Sequence, residues 1–326
     1  MSFFNRRDFI YISMVGIAGV SAGVPLFAKE KLNKSFVSLI KTDDRIDGVI
    51  KVVRMLDIPD MKGKKVFLKP NFNTADPAPG STHNDVISAL VNEIKEREAL
   101  SVTIGDRCGP GDTQKVLEAK GIFNLAKELD FNVINFDKMD EKDWILINKG
   151  SHWDGGFYMA RPLVESEYTV TTGCIKTHGF GGHFTMSMKL SVGAVNRKHM
   201  FPQLHNSPDM RKMIAEINLG YKPQLIVLDG VEVFTDGGPM EGTRKNANVI
   251  IAGTDRVAVD AVGLAILKEQ GSNSTIMGRK IFDQDQMQHA VTIGLGVSGP
   301  DEIAIVTGDT ESKTYADKIT DILMMG

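Results

Sequence analysis

Ser101-Val102-Thr103-Ile104-Gly105-Asp106-Arg107-Cys108-Gly109-Pro110-Gly111-Asp112-Thr113 is the stretch on which the reading of the fold turns. A short β-branched run passes without a spacer into a glycine-rich turn, and helical sequence follows from Gln114 to Leu129, broken at Gly121. Strand, turn and helix in that order form the repeating unit of a parallel sheet covered by helices. Working outward, the same rhythm recurs. Phe36–Ile40 predicts a strand and residues 45–56 a helix. Lys65–Leu68 predicts a second strand, followed by a helix with Val86, Leu90 and Ile94 spaced four apart. Asn132–Asn135, Tyr168–Thr171, Leu225–Leu228, Val249–Ile251 and Ile303–Val306 supply the remaining strands. The expected fold is α/β, a mostly parallel sheet with helices on both faces. Residues 137–166, with two Trp and Gly155-Gly156, interrupt it as an inserted irregular arm. Residues 175–208 are also irregular, around one apolar helix expected over residues 185–195.

Composition excludes several classes. The chain has 326 residues, 42% hydrophobic and 24% charged, with 32 Gly, 12 Pro and 2 Cys. That is a globular protein, neither disordered, collagenous nor a disulfide scaffold. A net charge of −3 carries no basic footprint for nucleic acid. Two cysteines cannot hold an intrinsic four-Cys iron–sulfur cluster.

The N-terminus reads as an address. Asn5-Arg6-Arg7-Asp8-Phe9-Ile10 precedes a weakly apolar run ending at Phe27-Ala28. Paired arginines before a glycine-containing apolar stretch resemble a bacterial twin-arginine export signal. Residues 1–28 are therefore expected to be a signal peptide recognised by the twin-arginine translocase, and residues 29–326 a single α/β domain in the periplasm or otherwise exported. Gly16, Gly19 and Gly23 weaken the run as a membrane span. An uncleaved anchor is the alternative.

In open parallel sheets ligands bind beyond the carboxyl ends of the strands. The residues after each strand therefore nominate the site. They are Lys69-Pro70-Asn71, Gly105-Asp106-Arg107-Cys108, Cys174-Ile175-Lys176-Thr177-His178 and Asp229-Gly230. Singly, each has a plainer reading: an exposed lysine, or an Asx turn at Asp106. Together they put ionisable groups on one rim, the expected form of a small-molecule site. Lys69, Arg107, Lys176 and Lys189 make it cationic. Gly109 and Gly111 before a helix, and Gly238 and Gly242 farther on, offer backbone N–H groups to an anion.

These stretches resemble the domain-of-unknown-function 362 family from about Phe36 to Gly296. The resemblance rests on Lys69-Pro70-Asn71, Gly105-Asp106, Gly109-Pro110-Gly111, Lys176-Thr177-His178 and Met188-Lys189-Leu190 with Gly193. Asp229-Gly230, Gly238-Pro239-x-x-Gly242 and Asp255-Arg256-Val257-Ala258-Val259-Asp260 complete it. It implies a fold and a pocket, without a reaction.

Four of the seven histidines, His178, His183, His199 and His205, fall in one window, four residues after Cys174. Imidazole and thiolate are transition-metal ligands, so these five residues form a candidate divalent-metal site. The plainer reading is that His178 alone is functional. Cys108 and Cys174 read as unrelated buried thiols, a disulfide or metal ligands. The leading expectation is an exported enzyme acting on a small anionic substrate or cofactor, with metal assistance if those ligands assemble. Lys176, His178 and Asp106 are its catalytic candidates; Lys69, Asn71, Arg107, Lys189 and Asp229 are its binding candidates. The alternative is a metal- or cofactor-holding protein serving a periplasmic redox enzyme.

Overall fold

The computed structural model describes residues 34–181 and 183–326; the expected export signal lies outside the described residues. Strands β1 (Ser35–Lys41), β2 (Lys65–Lys69), β3 (Ser101–Asp106) and β4 (Asn132–Asn135) form where the β-branched runs predict them. So do β7 (Tyr168–His178), β9 (Leu225–Gly237), β11 (Val249–Gly253) and β12 (Ile303–Val306). They line up in the order β12-β1-β11-β9-β7-β2-β3-β4. From β4 to β9 every neighbour is parallel, and β11 runs against both β9 and β1. The sheet is thus mostly parallel, with one reversed strand. Short β8 (His183–Thr185) and β10 (Gly242–Asn246) fold back on β7 and β9.

Helices pack both faces. On one lie α1 (Arg45–Arg54), α2 (Asn84–Glu96), α3 (Thr113–Ala119) and α4 (Ile122–Leu129). Val49, Val52, Ile87 and Leu90 meet Leu68, Ile104 and Val170 there. Farther along come α5 (Met210–Ile217), α6 (Arg256–Glu269), α7 (Asp285–Thr292) and α8 (Thr310–Met325). On the opposite face α6 packs with α8 over Leu39, Ile175, Ile226 and Ile251. From Arg256 to Leu267 every residue of α6 is buried, which is why its sequence is apolar apart from Arg256 and Asp260, whose side chains bind backbone groups. Asp255 starts it by accepting from Val257 N and Ala258 N. Gly121, with φ of 68°, separates α3 from α4 as the sequence anticipates. Among the described residues no helix is long and apolar enough to cross a membrane.

Two expectations change. The apolar helix expected over residues 185–195 is instead the end of β8 followed by a 3₁₀ segment, Lys189–Ala194. Asp260 of α6 takes up Ser187 N at 2.7 Å and Met188 N at 3.1 Å, and this fixes the chain there in a non-α path. The strands β7 and β9 also run well past their expected ends, because β8 and β10 supply them with further partners.

The arm at 137–166 is a β-hairpin, β5 (Trp144–Ile147) against β6 (Phe157–Ala160), over a third core. Phe136 joins that core to the sheet. Its ring lies 6.1 Å from Phe67 and 6.4 Å from Trp144. Gly105 is required beneath it, since a Cβ there would sit 2.6 Å from Phe136 and 2.7 Å from Phe67. Phe136→Ala is expected to cost about 3–5 kcal/mol, read from chemical denaturation followed by tryptophan fluorescence.

Candidate functional site

The carboxyl ends of β2 and β3 are adjacent in the sheet, and so the last residues of these strands, Lys69 and Asp106, meet. Lys69 Nζ is 2.7 Å from Asp106 Oδ1, and both side chains are buried. Oδ1 also accepts from Arg107 N at 2.7 Å, and Oδ2 from Phe72 N at 2.6 Å. Lys69 Nζ donates as well to Pro70 O and Leu190 O. The carboxylate thus ties together the two loops that leave the sheet, and the ammonium reaches across to the 3₁₀ segment. Gly193 closes over the pair: a Cβ there would collide with Asp106 Oδ1 and lie 3.0 Å from Lys69 Nζ. Burial depresses the Lys69 pKa, and Asp106 opposes that shift.

Above this pair opens a cavity of about 230 Å³. Its lining combines polar Asn71, Asn73, Asp106, Arg107, His178, Thr185, Lys189 and His205 with apolar Leu190, Val192, Met200, Pro239 and Met240. Phe180, exposed, stands at the rim with its ring 6.0 Å from His178. Arg107 spends its guanidinium on Val195 O, Cys108 O, Val192 O and Met200 Sδ. Burial and nearby Arg197 push it down to about 10, and it contributes positive potential with little freedom to move.

Lys189 is different. It lines the same cavity, is buried, and among the described residues has no carboxylate or hydrogen-bond partner. Desolvation, with repulsion from Lys176, lowers its ammonium to about 7. Asp260 sets its position through the two amides that precede it. His178 is held well below the ordinary imidazole range by burial and by the lysines, so its ring is neutral. Among the described residues His178 Nδ1, Asn73 Nδ2 and Thr185 Oγ1 have no hydrogen-bond partner. Such buried polar atoms are costly unless something satisfies them.

The other nominated residues divide sharply. Lys69 and Asp106 are saturated by each other and by backbone, so they build the floor and are not free to act on a ligand. Lys176 lies behind the cavity and donates to Gly80 O at 2.6 Å and Pro239 O at 3.0 Å. Burial brings it to about 8. Asp229 is not at a strand end at all. It sits mid-strand in β9, opposite Cys174, and accepts from Arg45 Nε of α1 at 2.7 Å, away from the cavity lining.

The backbone cradles are also spent. Asp112 caps α3 through Gln114 N and Lys115 N, Gly109 N donates to Asn73 O, and Gly111 does not line the cavity. Gly109 itself is needed, because a side chain there would strike the Asn73 amide. Gly238 and Gly242 shape the β9–β10 turn that presents Pro239 and Met240, without lining the cavity themselves.

The five proposed metal ligands do not assemble. His178 and His205 line the cavity; His183, His199 and Cys174 do not. Cys174 is fully buried beside Ser81 O, and desolvation lifts its thiol to about 12, against the thiolate that a metal needs. His199 packs on Tyr158 instead. Cys108 and Cys174 are both free thiols. Asn73 and Thr185 escape sequence reasoning, and Asp260 enters it only as the end of a motif, without its role. For Asn73 the available signal is its spacing of two from Asn71, which returns it to the same side of an extended loop.

A family profile described as a domain of unknown function (DUF362) matches residues 66–265, more than half of the chain. The chain belongs to this family. The matched span holds the cavity-lining residues from Asn71 to Met240, together with Asp260. The family member is 25% identical over 219 residues to a thylakoid-associated protein of Synechocystis. That match covers 63% of this chain and 64% of that protein, so this chain spans just under two thirds of its length. It also aligns with the lactate racemase apoprotein of Thermoanaerobacterium thermosaccharolyticum at 13% identity and a TM-score of 0.42, over 92% of this chain and 88% of that one.

Asp106→Asn leaves the Lys69 ammonium buried without its counter-charge. The expected loss is about 3–5 kcal/mol, measured by denaturant unfolding, and Lys69→Met/Asp106→Leu is expected to recover only part of it, because Phe72 N and Arg107 N then lose their acceptor.

Proposed function

We propose that this protein is an enzyme acting on a small anionic substrate or cofactor, with Lys189 and His178 as its acid–base groups. One observation carries the reading: Lys189 is a buried cation facing a cavity, with no carboxylate partner among the described residues. The lining is net positive, since the charge of Asp106 is already taken by Lys69 and those of Arg107 and Lys189 are not. A carboxylate or phosphate would satisfy Lys189 directly, and Asn73 Nδ2 and Thr185 Oγ1 would gain an acceptor. The cavity is smaller than drug-sized sites, which favours a substrate of few atoms.

A lysine near neutrality exists in both protonation states, so it can give or take a proton at working pH. Neutral His178 offers a second transfer point on the same lining. A non-catalytic holder of a metal or cofactor for a redox enzyme would use the same cavity without turnover.

The test is anion binding to the full chain, by calorimetry and thermal shift, with inorganic phosphate, sulfate and small mono- and dicarboxylates. At least one is expected to bind and to raise Tm. Lys189→Met should weaken it by more than about tenfold while circular dichroism is unchanged, corresponding to roughly 1.4 kcal/mol. Affinity should fall as pH rises from about 6 to about 8, because the ammonium that holds the anion is lost across that window. Lys176, His178, His205 and Arg107 face or flank Lys189, and Lys189→Met separates its titration from theirs. No binding by any of these anions, or equal binding by Lys189→Met, overturns the proposal.

We also infer export by the twin-arginine route, supported by Asn5-Arg6-Arg7-Asp8-Phe9-Ile10. Arg6→Lys with Arg7→Lys should retain the protein in the cytoplasmic fraction. Unchanged export would refute the assignment.

A further inference from the structure

A second cluster lies outside the cavity lining, and its residues come from three separate segments. His152 is in the β5–β6 loop of the arm, Glu216 in the last turn of α5, and His289 in α7. One ligand atom from each lies within 4.8 Å of the others. Glu216 is fully buried, while His152 and His289 keep 21% and 13% of their side chains exposed. His152 Nδ1 is 2.7 Å and His289 Nε2 3.0 Å from the same oxygen, Glu216 Oε1. The two rings stand nearly perpendicular, 5.0 Å apart.

The loop is shaped around that carboxylate. Ser151 N donates to Oε1 at 2.9 Å and His152 N to Oε2 at 3.2 Å, which fixes the carboxylate in place. Gly150 has φ of 90°, and a Cβ there would stand 2.6 Å from the Glu216 carboxyl, so the chain approaches as closely as a glycine permits. Asp209, at the start of α5, adds a second negative charge facing the two imidazoles, although Lys212 holds it at 2.8 Å.

We propose that His152, Glu216 and His289 bind one divalent transition-metal ion of the zinc class. Two imidazoles and one carboxylate are the donor set of open zinc sites and of facial-triad sites. Ligand bonds of about 2.0–2.2 Å would need only a small parting of the two ring nitrogens from Oε1. Backbone donors to the carboxylate supply the outer shell that such sites use to orient a ligand. Both imidazoles are partly exposed, so solvent can reach the site. Bound metal would lock the arm to α5 and α7. This proposal does not rest on the anion reading, since none of the three residues lines that cavity.

The test uses the full chain stripped with chelator and titrated with Co²⁺, followed in visible absorption, with Zn²⁺ as competitor. The expected result is a d–d band that saturates at one equivalent and is displaced by Zn²⁺. Glu216→Gln should abolish it, and His152→Gln, on the partly exposed loop, should weaken binding at least about tenfold with circular dichroism unchanged. Lys189→Met should leave it unchanged. Absence of a band in excess Co²⁺, or a band that persists in His152→Gln and His289→Gln, overturns the proposal.

Discussion

The buried pair of Lys69 and Asp106 holds the functional edge of this protein together. Two ends of neighbouring parallel strands deliver opposite charges to one point, where water is excluded. Burial of either charge alone would cost several kcal/mol, so each depends on the other and on backbone partners. Asp106 receives Lys69 Nζ, Arg107 N and Phe72 N; Lys69 reaches Pro70 O and Leu190 O. The loops after β2 and β3 and the segment carrying Lys189 are thereby fixed relative to one another. Gly193 permits the approach by having no side chain.

The cavity above inherits its character from that arrangement. Once Asp106 is neutralised from below, the charges left on the lining are those of Arg107 and Lys189. Arg107 is bound down by carbonyls, while Lys189 is positioned by Asp260 through the preceding amides and has no counter-ion among the described residues. An uncompensated buried lysine costs stability, and such costs are concentrated where binding or proton transfer needs them.

Much of the fold was legible because the β-branched runs, the glycine turns and the four-residue spacing of Val86, Leu90 and Ile94 all report local geometry. The rim was legible as a rim for the same reason: residues after a parallel strand end up at its carboxyl edge. Individual roles were not. Asp229 looks like a strand-end residue until β10 extends β9 past it and Arg45 takes its charge. Lys176 looks catalytic until Gly80 O and Pro239 O accept its hydrogen bonds. Clustering in sequence likewise suggested His178, His183, His199 and His205 as one ligand set. The histidines that do converge on a carboxylate, His152 and His289, are 137 positions apart along the chain.

The sequence by itself determined the alternation of strand and helix, the arm, the absence of a basic footprint and the polar edge. Each is a property of composition or of neighbours within a few residues. Only the tertiary structure decided which charged groups neutralise one another and which remain to meet a ligand. That depends on strand order and on contacts between segments far apart in the chain. Lys69, Lys176 and Lys189 are the same residue type on the same edge. The first is paired, the second is consumed by carbonyls, and the third has no partner among the described residues, because of what the fold brings against each ammonium.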